Sequence, residues 1–127
     1  MSIEQVKTVL ALHPEICLAY VFGSVATGEA RPDSDVDVAV KAASRLDTDL
    51  KMQLIEELAE STGRPVDLID LYAVGEPLLG QILKYGVRVV GEDSAHAELI
   101  SRHIFSSEDF MPYVARMLAE RRKKWIG

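Results

Sequence analysis

Phe22-Gly23-Ser24-Val25-Ala26-Thr27-Gly28-Glu29-Ala30-Arg31-Pro32-Asp33-Ser34-Asp35-Val36-Asp37-Val38-Ala39-Val40 is the stretch on which the fold turns. It leaves an apolar strand through a tight Gly-Ser turn, crosses a loop holding Gly28 and Pro32, and returns as a second strand carrying Asp35 and Asp37. Side chains alternate faces along a strand, so two carboxylates two residues apart point to one side, while Val36, Val38 and Val40 point to the other, into a core. Like charges held that close repel, and burial makes the repulsion worse, so the pattern calls for a compensating cation. A hard divalent ion with oxygen ligands, such as Mg²⁺, suits the pair. On the other side of the loop, Gly23 allows close approach to the main chain, and Ser24 offers a hydroxyl and an amide to phosphate oxygens. Phosphate at one end and metal carboxylates at the other describe a nucleoside triphosphate site.

Working outward to the N-terminus, residues 16–22 form a continuous apolar run between Pro14 and Gly23, which predicts a buried central strand. Before it, Ser2-Ile3-Glu4-Gln5 has the form of a capping box, and Ile3, Val6, Val9 and Leu10 make one stripe of a short helix that ends at His13-Pro14. Cys17, the single cysteine, lies inside the apolar run and is expected to be buried as a small hydrophobe; no intrachain disulfide is possible, and a cytoplasmic setting is expected.

Towards the C-terminus the period changes. Ser44-Arg45-Leu46-Asp47 is a second capping-box candidate, and Leu46, Leu50, Leu54, Ile55, Leu58 and Ala59 form a helical stripe that stops before Gly63, with Glu56, Glu57 and Glu60 as its solvated face. Residues 65–71 predict a third strand. Its aspartates, Asp67 and Asp70, are three apart and therefore on opposite faces, so only one of them can join Asp35 and Asp37. A helix starting at Gly75-Glu76-Pro77 and closed by Gly86, a β-branched edge strand over 87–90 and a turn at 91–93 follow. The tail reads as helical, with Leu99, Ile100 and Ile104 at helix spacing, then a last helix capped at Ser106 or Ser107 and striped by Phe110, Val114, Met117, Leu118 and Trp125. His96 and His103 are two helical turns apart, too far to share an ion, so no zinc site is expected.

The 127 residues suit one domain, and 48% apolar with 27% charged residues is an ordinary globular composition. A net charge of -6 argues against a dedicated nucleic-acid binder, although Arg121-Arg122-Lys123-Lys124 forms a local basic patch. No signal peptide is expected, and no apolar run approaches the ~20 residues that span a bilayer.

With these residues in place, the sequence resembles the nucleotidyltransferase superfamily related to DNA polymerase beta. That superfamily's signature is Gly-Ser, ten residues, then Asp-x-Asp, and Gly23-Ser24 with Asp35-Val36-Asp37 keeps the spacing. Over nearly its full length, through the Ala30-Arg31-Pro32-Asp33-Ser34-Asp35 loop and the Val66-Asp67-Leu68-Ile69-Asp70-Leu71 strand, it is similar to the minimal nucleotidyltransferase (MNT) antitoxins, the MntA family. The resemblance implies an α/β (α+β) polymerase beta-like fold with a mixed sheet of about four strands, flanking helices and a helical C-terminal tail. It implies one domain over residues 1–127, with a catalytic core about 1–92 and a tail about 93–127.

In activity, the resemblance implies an antitoxin that moves AMP from ATP to a tyrosine of a cognate HEPN RNase toxin, releasing pyrophosphate and forming a hetero-oligomer with the toxin. Asp35 and Asp37 would hold two Mg²⁺ ions; a third carboxylate on the neighbouring strand, which relatives suggest is Asp67, would help bind one ion and take a proton. Gly23, Ser24, Arg31 and Ser34 would contact the nucleotide. Many members carry arginine or another polar residue directly after the Gly-Ser, where this chain has Val25, so no phosphate contact is expected from that position. Two other readings compete: a stand-alone transferase acting on a small hydroxylated molecule of the aminoglycoside kind, and a binding module that blocks a toxin by contact alone. Three carboxylates favour catalysis over pure binding, and a length without room for a substrate domain favours a protein acceptor.

Overall fold

A computed structural model describes residues 2–106. The expected cap at Ser107, the stripe from Phe110 to Trp125 and the basic patch at 121–124 lie outside the described residues. Among the described residues nine elements follow in chain order: α1 (Ser2–Leu10), β1 (Leu18–Phe22), α2 (Gly23–Thr27), β2 (Val36–Lys41), α3 (Thr48–Thr62), β3 (Val66–Asp70), α4 (Leu78–Tyr85), β4 (Val87–Val90) and α5 (Asp93–Ser106). The four strands make one mixed sheet in the order β3-β2-β1-β4, with β1 antiparallel to both β2 and β4 and β2 parallel to β3.

Helices cover both faces, which is why β1 carries no polar alternation: Leu18, Ala19, Tyr20 and Val21 are all buried. On one face, Val6, Val9 and Leu10 of α1 and Leu54 and Leu58 of α3 pack over Val21, Val36, Val38 and Val40. On the other, Leu79 and Ile82 of α4 and Leu99 of α5 pack over Leu18, Tyr20 and Ala39. Asp37 alternates with the valines and therefore shares this second face with Ala39. The sheet thus presents Asp37 and, in register with it, Asp67 on the face that carries α4, away from α1 and α3.

Several local expectations change. The Gly-Ser turn is the first turn of α2, which ends at Gly28 in the left-handed conformation at φ 80°. The cap of α3 is Asp47, whose carboxylate accepts the Leu50 N–H at 2.7 Å, rather than Ser44. The Ser2 hydroxyl accepts a hydrogen bond from Arg64 Nε at 3.2 Å. Cys17 is exposed, not buried, because it falls between the buried Ile16 and Leu18 just before β1; its thiol donates to the Lys41 carbonyl at 3.3 Å. His96 bonds to the Tyr20 hydroxyl, and His103 pairs with Glu76 at 2.6 Å.

Glu57, expected on a solvated face, instead receives His13. The imidazole, 7% exposed, lies between Glu57 at 2.6 Å from Nε2 and Glu15 at 3.1 Å from Nδ1, tying the end of α1 to α3. A carboxylate on each ring nitrogen requires an N–H on each, which is the imidazolium form. Burial works to lower the pKa of His13, but hydrogen bonds and charge from Glu57 and Glu15 outweigh it and hold the group above its ordinary 6.5. Such a group contributes stability that is complete below the unfolded pKa and is lost as pH rises through the higher folded value. His13→Gln is therefore expected to destabilise the protein by about 1–2 kcal/mol near pH 6, with the difference shrinking as the pH rises above the ordinary 6.5 and through the higher folded value. Urea denaturation of both proteins across that range checks this, and a pH-independent difference would remove the imidazolium from the account.

Candidate active site

The site grows out of the end of β1. The backbone at Gly23 has φ 72°, a region L side chains avoid. A Cβ there would also land on Oδ2 of Asp37, inside the 3.0 Å that real Cβ atoms keep. Phe22 faces Asp37 across the antiparallel β1–β2 ladder, and Asp37 faces Asp67 across the parallel β2–β3 ladder, so the three form one row over adjacent strands. Neighbouring strands lie roughly 4.8 Å apart, which puts two carboxylates side by side on one face. Asp35 precedes β2, is exposed, and acts on Asp37 through its charge.

Electrostatics record this crowding. The Asp37 carboxyl is pushed above its ordinary 3.8, first by burial, then by the negative charges of Asp67 and Asp35 and by a side-chain hydrogen bond with Asp67. Among the described residues no three His, Cys, Asp or Glu side chains are already disposed as a metal-ligand set. The donors nonetheless fit a hard cation: three carboxylates contribute only oxygen, and the strain at Asp37 is of the kind that positive charge relieves.

Asp70 stands in register with Val40, on the opposite face from Asp37. Its two oxygens accept the backbone N–H groups of Tyr72 and Leu46, each at 2.9 Å, so it joins the start of the α3 segment to the end of β3.

Loop 28–35 is held from outside. Arg31 N–H donates to the Ser34 hydroxyl at 2.8 Å, and Ser34 N–H donates back to the Arg31 carbonyl at 3.0 Å. Arg64, just past α3, donates through Nη1 to the carbonyls of Arg31 and Ser34, the latter at 3.0 Å, and so clamps the residues leading into Asp35. Ser34 is thus engaged within its own loop. The Arg31 side chain is exposed and forms no ion pair with Asp35, Asp37 or Asp67. In α2, the Ser24 carbonyl accepts N–H groups from Gly28 and Glu29 and the Thr27 hydroxyl, which fixes the turn that carries Ser24.

Above Asp37 opens a cavity of about 290 Å³ lined by Phe22, Gly23, Thr27, Asp37, Gln81 and Tyr85. A larger hollow of about 520 Å³ between α1 and β4 is bordered by Lys7, Leu10, His13 and Val90 and contains no carboxylate, so the smaller one is where the chemistry belongs. Arg64, Gln81 and Tyr85 were missed in the sequence; no spacing relates them to the Gly-Ser or to the aspartates, and only the packing of α3 and α4 brings them near.

A family profile described as polymerase beta nucleotidyltransferase matches residues 4–95. The chain belongs to that nucleotidyltransferase family. Its fold has the mixed four-stranded sheet and flanking helices that the family resemblance implied. This nucleotidyltransferase is 36% identical over 78 residues to the protein adenylyltransferase MntA of Shewanella oneidensis, a match covering 61% of this chain. The matched stretch spans 56% of that relative's length. Among solved structures, it is similar to a toxin-antitoxin crystallised with AMP-PNP, at TM-score 0.73 and 26% identity over 97% of this chain and 94% of that one. It also shares the fold of a chain in the solved complex of tri-AMPylated Shewanella oneidensis HEPN toxin with MNT antitoxin, at TM-score 0.64 and 24% identity over 97% of this chain and 94% of that one. No helix among the described residues is long and apolar enough to cross a membrane.

Proposed function

We propose that this nucleotidyltransferase is the antitoxin of a HEPN/MNT toxin-antitoxin pair, a Mg²⁺-dependent protein adenylyltransferase that transfers AMP from ATP to a tyrosine of its cognate RNase toxin in the cytoplasm. The observation that carries the reading is the row Phe22–Asp37–Asp67, in which Asp37 lies against the bare Cα of Gly23, so that a carboxylate pair stands beside the Gly-Ser turn. Similarity to a protein adenylyltransferase and to a toxin-antitoxin holding an ATP analogue supports the donor and the partner class.

In this reading Asp35, Asp37 and Asp67 hold the metal, and the Gly23-Ser24 amides and the Ser24 hydroxyl donate to the triphosphate. Bound Mg²⁺ supplies neutralisation of the triphosphate charge and acidification of the attacking hydroxyl. Asp67 accepts the proton of the toxin tyrosine as its oxygen bonds to the α-phosphorus. The bond from that phosphorus to the bridging oxygen breaks, and pyrophosphate leaves with the electron pair. Arg31, exposed in the loop that leads to Asp35, would meet outgoing phosphate charge.

The test is the intact mass of the cognate toxin co-expressed with this chain, unaltered or carrying Asp35→Ala and Asp37→Ala together. AMP-sized increments with the unaltered chain alone are expected. A toxin silenced without any increment in either case would establish inhibition by contact and end the catalytic reading.

A further inference from the structure

Two side chains of α4 face the Asp37 cavity, and no step of the transfer described above uses them. Gln81 and Tyr85 are four residues apart, one turn along one side of the helix, while Leu79 and Ile82 bury the other side. Tyr85 is 56% exposed, a large ring left bare at the rim of the site. Lys84 Nζ stands 5.2 Å from the ring centroid, a cation–π contact that holds the ring in place. The cavity is polarised: its Asp37 and Gly23 end suits metal and phosphate, whereas the α4 side chains that line it, Gln81 and Tyr85, are neutral, with the Lys84 ammonium set against the Tyr85 ring outside that lining. A flat, uncharged heterocycle fits this lining, because Tyr85 offers a π-face and the Gln81 amide offers a donor and an acceptor side by side.

We propose that Gln81 and Tyr85 form the seat of the adenine base, with the base stacked on Tyr85 and its N6–N7 edge paired with the Gln81 amide. The seat rests on the nucleotidyl-transfer reading and deepens it by assigning the source of base selectivity. The pairing is the one by which a glutamine amide reads adenine in a groove, and guanine, with O6 in place of N6–H₂, meets it less well.

Binding of ATP, GTP and inorganic tripolyphosphate to the full chain with Mg²⁺, by calorimetry, tests the seat. Tyr85→Ala is expected to weaken ATP binding by about 5- to 150-fold, the range that base stacking spans, and to leave tripolyphosphate unchanged. Tyr85→Phe keeps the ring and is expected to bind ATP as the unaltered chain does. Gln81→Ala is expected to reduce the preference for ATP over GTP by a comparable factor. Tyr85→Ala binding ATP at full strength, or losing tripolyphosphate in step with ATP, would overturn the proposal. So would an AMP increment on this chain itself that Tyr85→Phe removes, since Tyr85 would then be an acceptor. An unaltered chain that binds tripolyphosphate but shows no advantage for ATP also overturns the seat, whereas one that binds neither overturns the nucleotide reading itself.

Discussion

Asp37→Asn is expected to lower nucleotidyl transfer by well over 100-fold while raising the melting temperature of the ligand-free protein near neutral pH. The loss follows from position. Partners that merely orient a metal ligand cost about 10–100-fold when removed, and Asp37 is proposed as a ligand itself. The gain in stability follows from the same crowding. Asp37 is held above its ordinary 3.8 by burial and by the charges of Asp67 and Asp35, so its ionised form is less favourable folded than unfolded. A carboxyl with a raised folded pKa costs stability progressively as pH climbs from the unfolded value through the folded one, and the full cost is present above both. Asparagine retains the shape and removes the charge. The two melting curves should therefore separate near neutral pH, by about 4 °C for each kcal/mol recovered, and converge only below about pH 3, under the ordinary carboxyl value, where Asp37 is protonated in both states. A variant no more stable than the parent near neutral pH would contradict the repulsion that this geometry imposes.

Gly23→Ala is expected to cost both stability and activity. Two costs coincide: a left-handed backbone at φ 72°, worth about 1–2 kcal/mol for an L residue, and a Cβ placed on Asp37 Oδ2, where overpacking costs about 1–3 kcal/mol. Asp37 must move to admit it, and a displacement of roughly 1 Å at a reacting centre costs on the order of 100-fold in rate. Gly28→Ala separates the two effects. Gly28 has an equally left-handed φ of 80°, but a Cβ there meets nothing within 4 Å, so only the backbone cost of about 1–2 kcal/mol applies. Denaturation and kcat/KM for the pair decide the matter: equal activities would mean that the Gly23 effect is backbone strain alone and that Asp37 does not depend on the missing side chain.

Much of the fold was legible because its signals are local. The unbroken apolar run into Phe22, the valine alternation through Val40, the leucine stripe of α3 ending at the left-handed Gly63 and the short β-branched β4 each report how a segment buries itself within a few residues. Cys17 and the cap of α3 were misread at the edges of elements, where a shift of one residue exchanges a buried side chain for an exposed one or moves a cap from Ser44 to Asp47.

By itself, the sequence determined the family-defining spacing of Gly23-Ser24 and Asp35-Val36-Asp37, the separation of Asp37 from the buried Val36 and Val38, and the requirement that Asp67 and Asp70 part company. Tertiary structure alone decided which of those two meets Asp37, because that depends on the parallel register of β2 and β3. It alone brought Arg64 to the carbonyls of Arg31 and Ser34, and Gln81 and Tyr85 to the Asp37 cavity. The physical reason is that alternation and helical period act along the chain over a few residues, whereas strand order and helix docking join residues tens of positions apart through packing that no local pattern encodes.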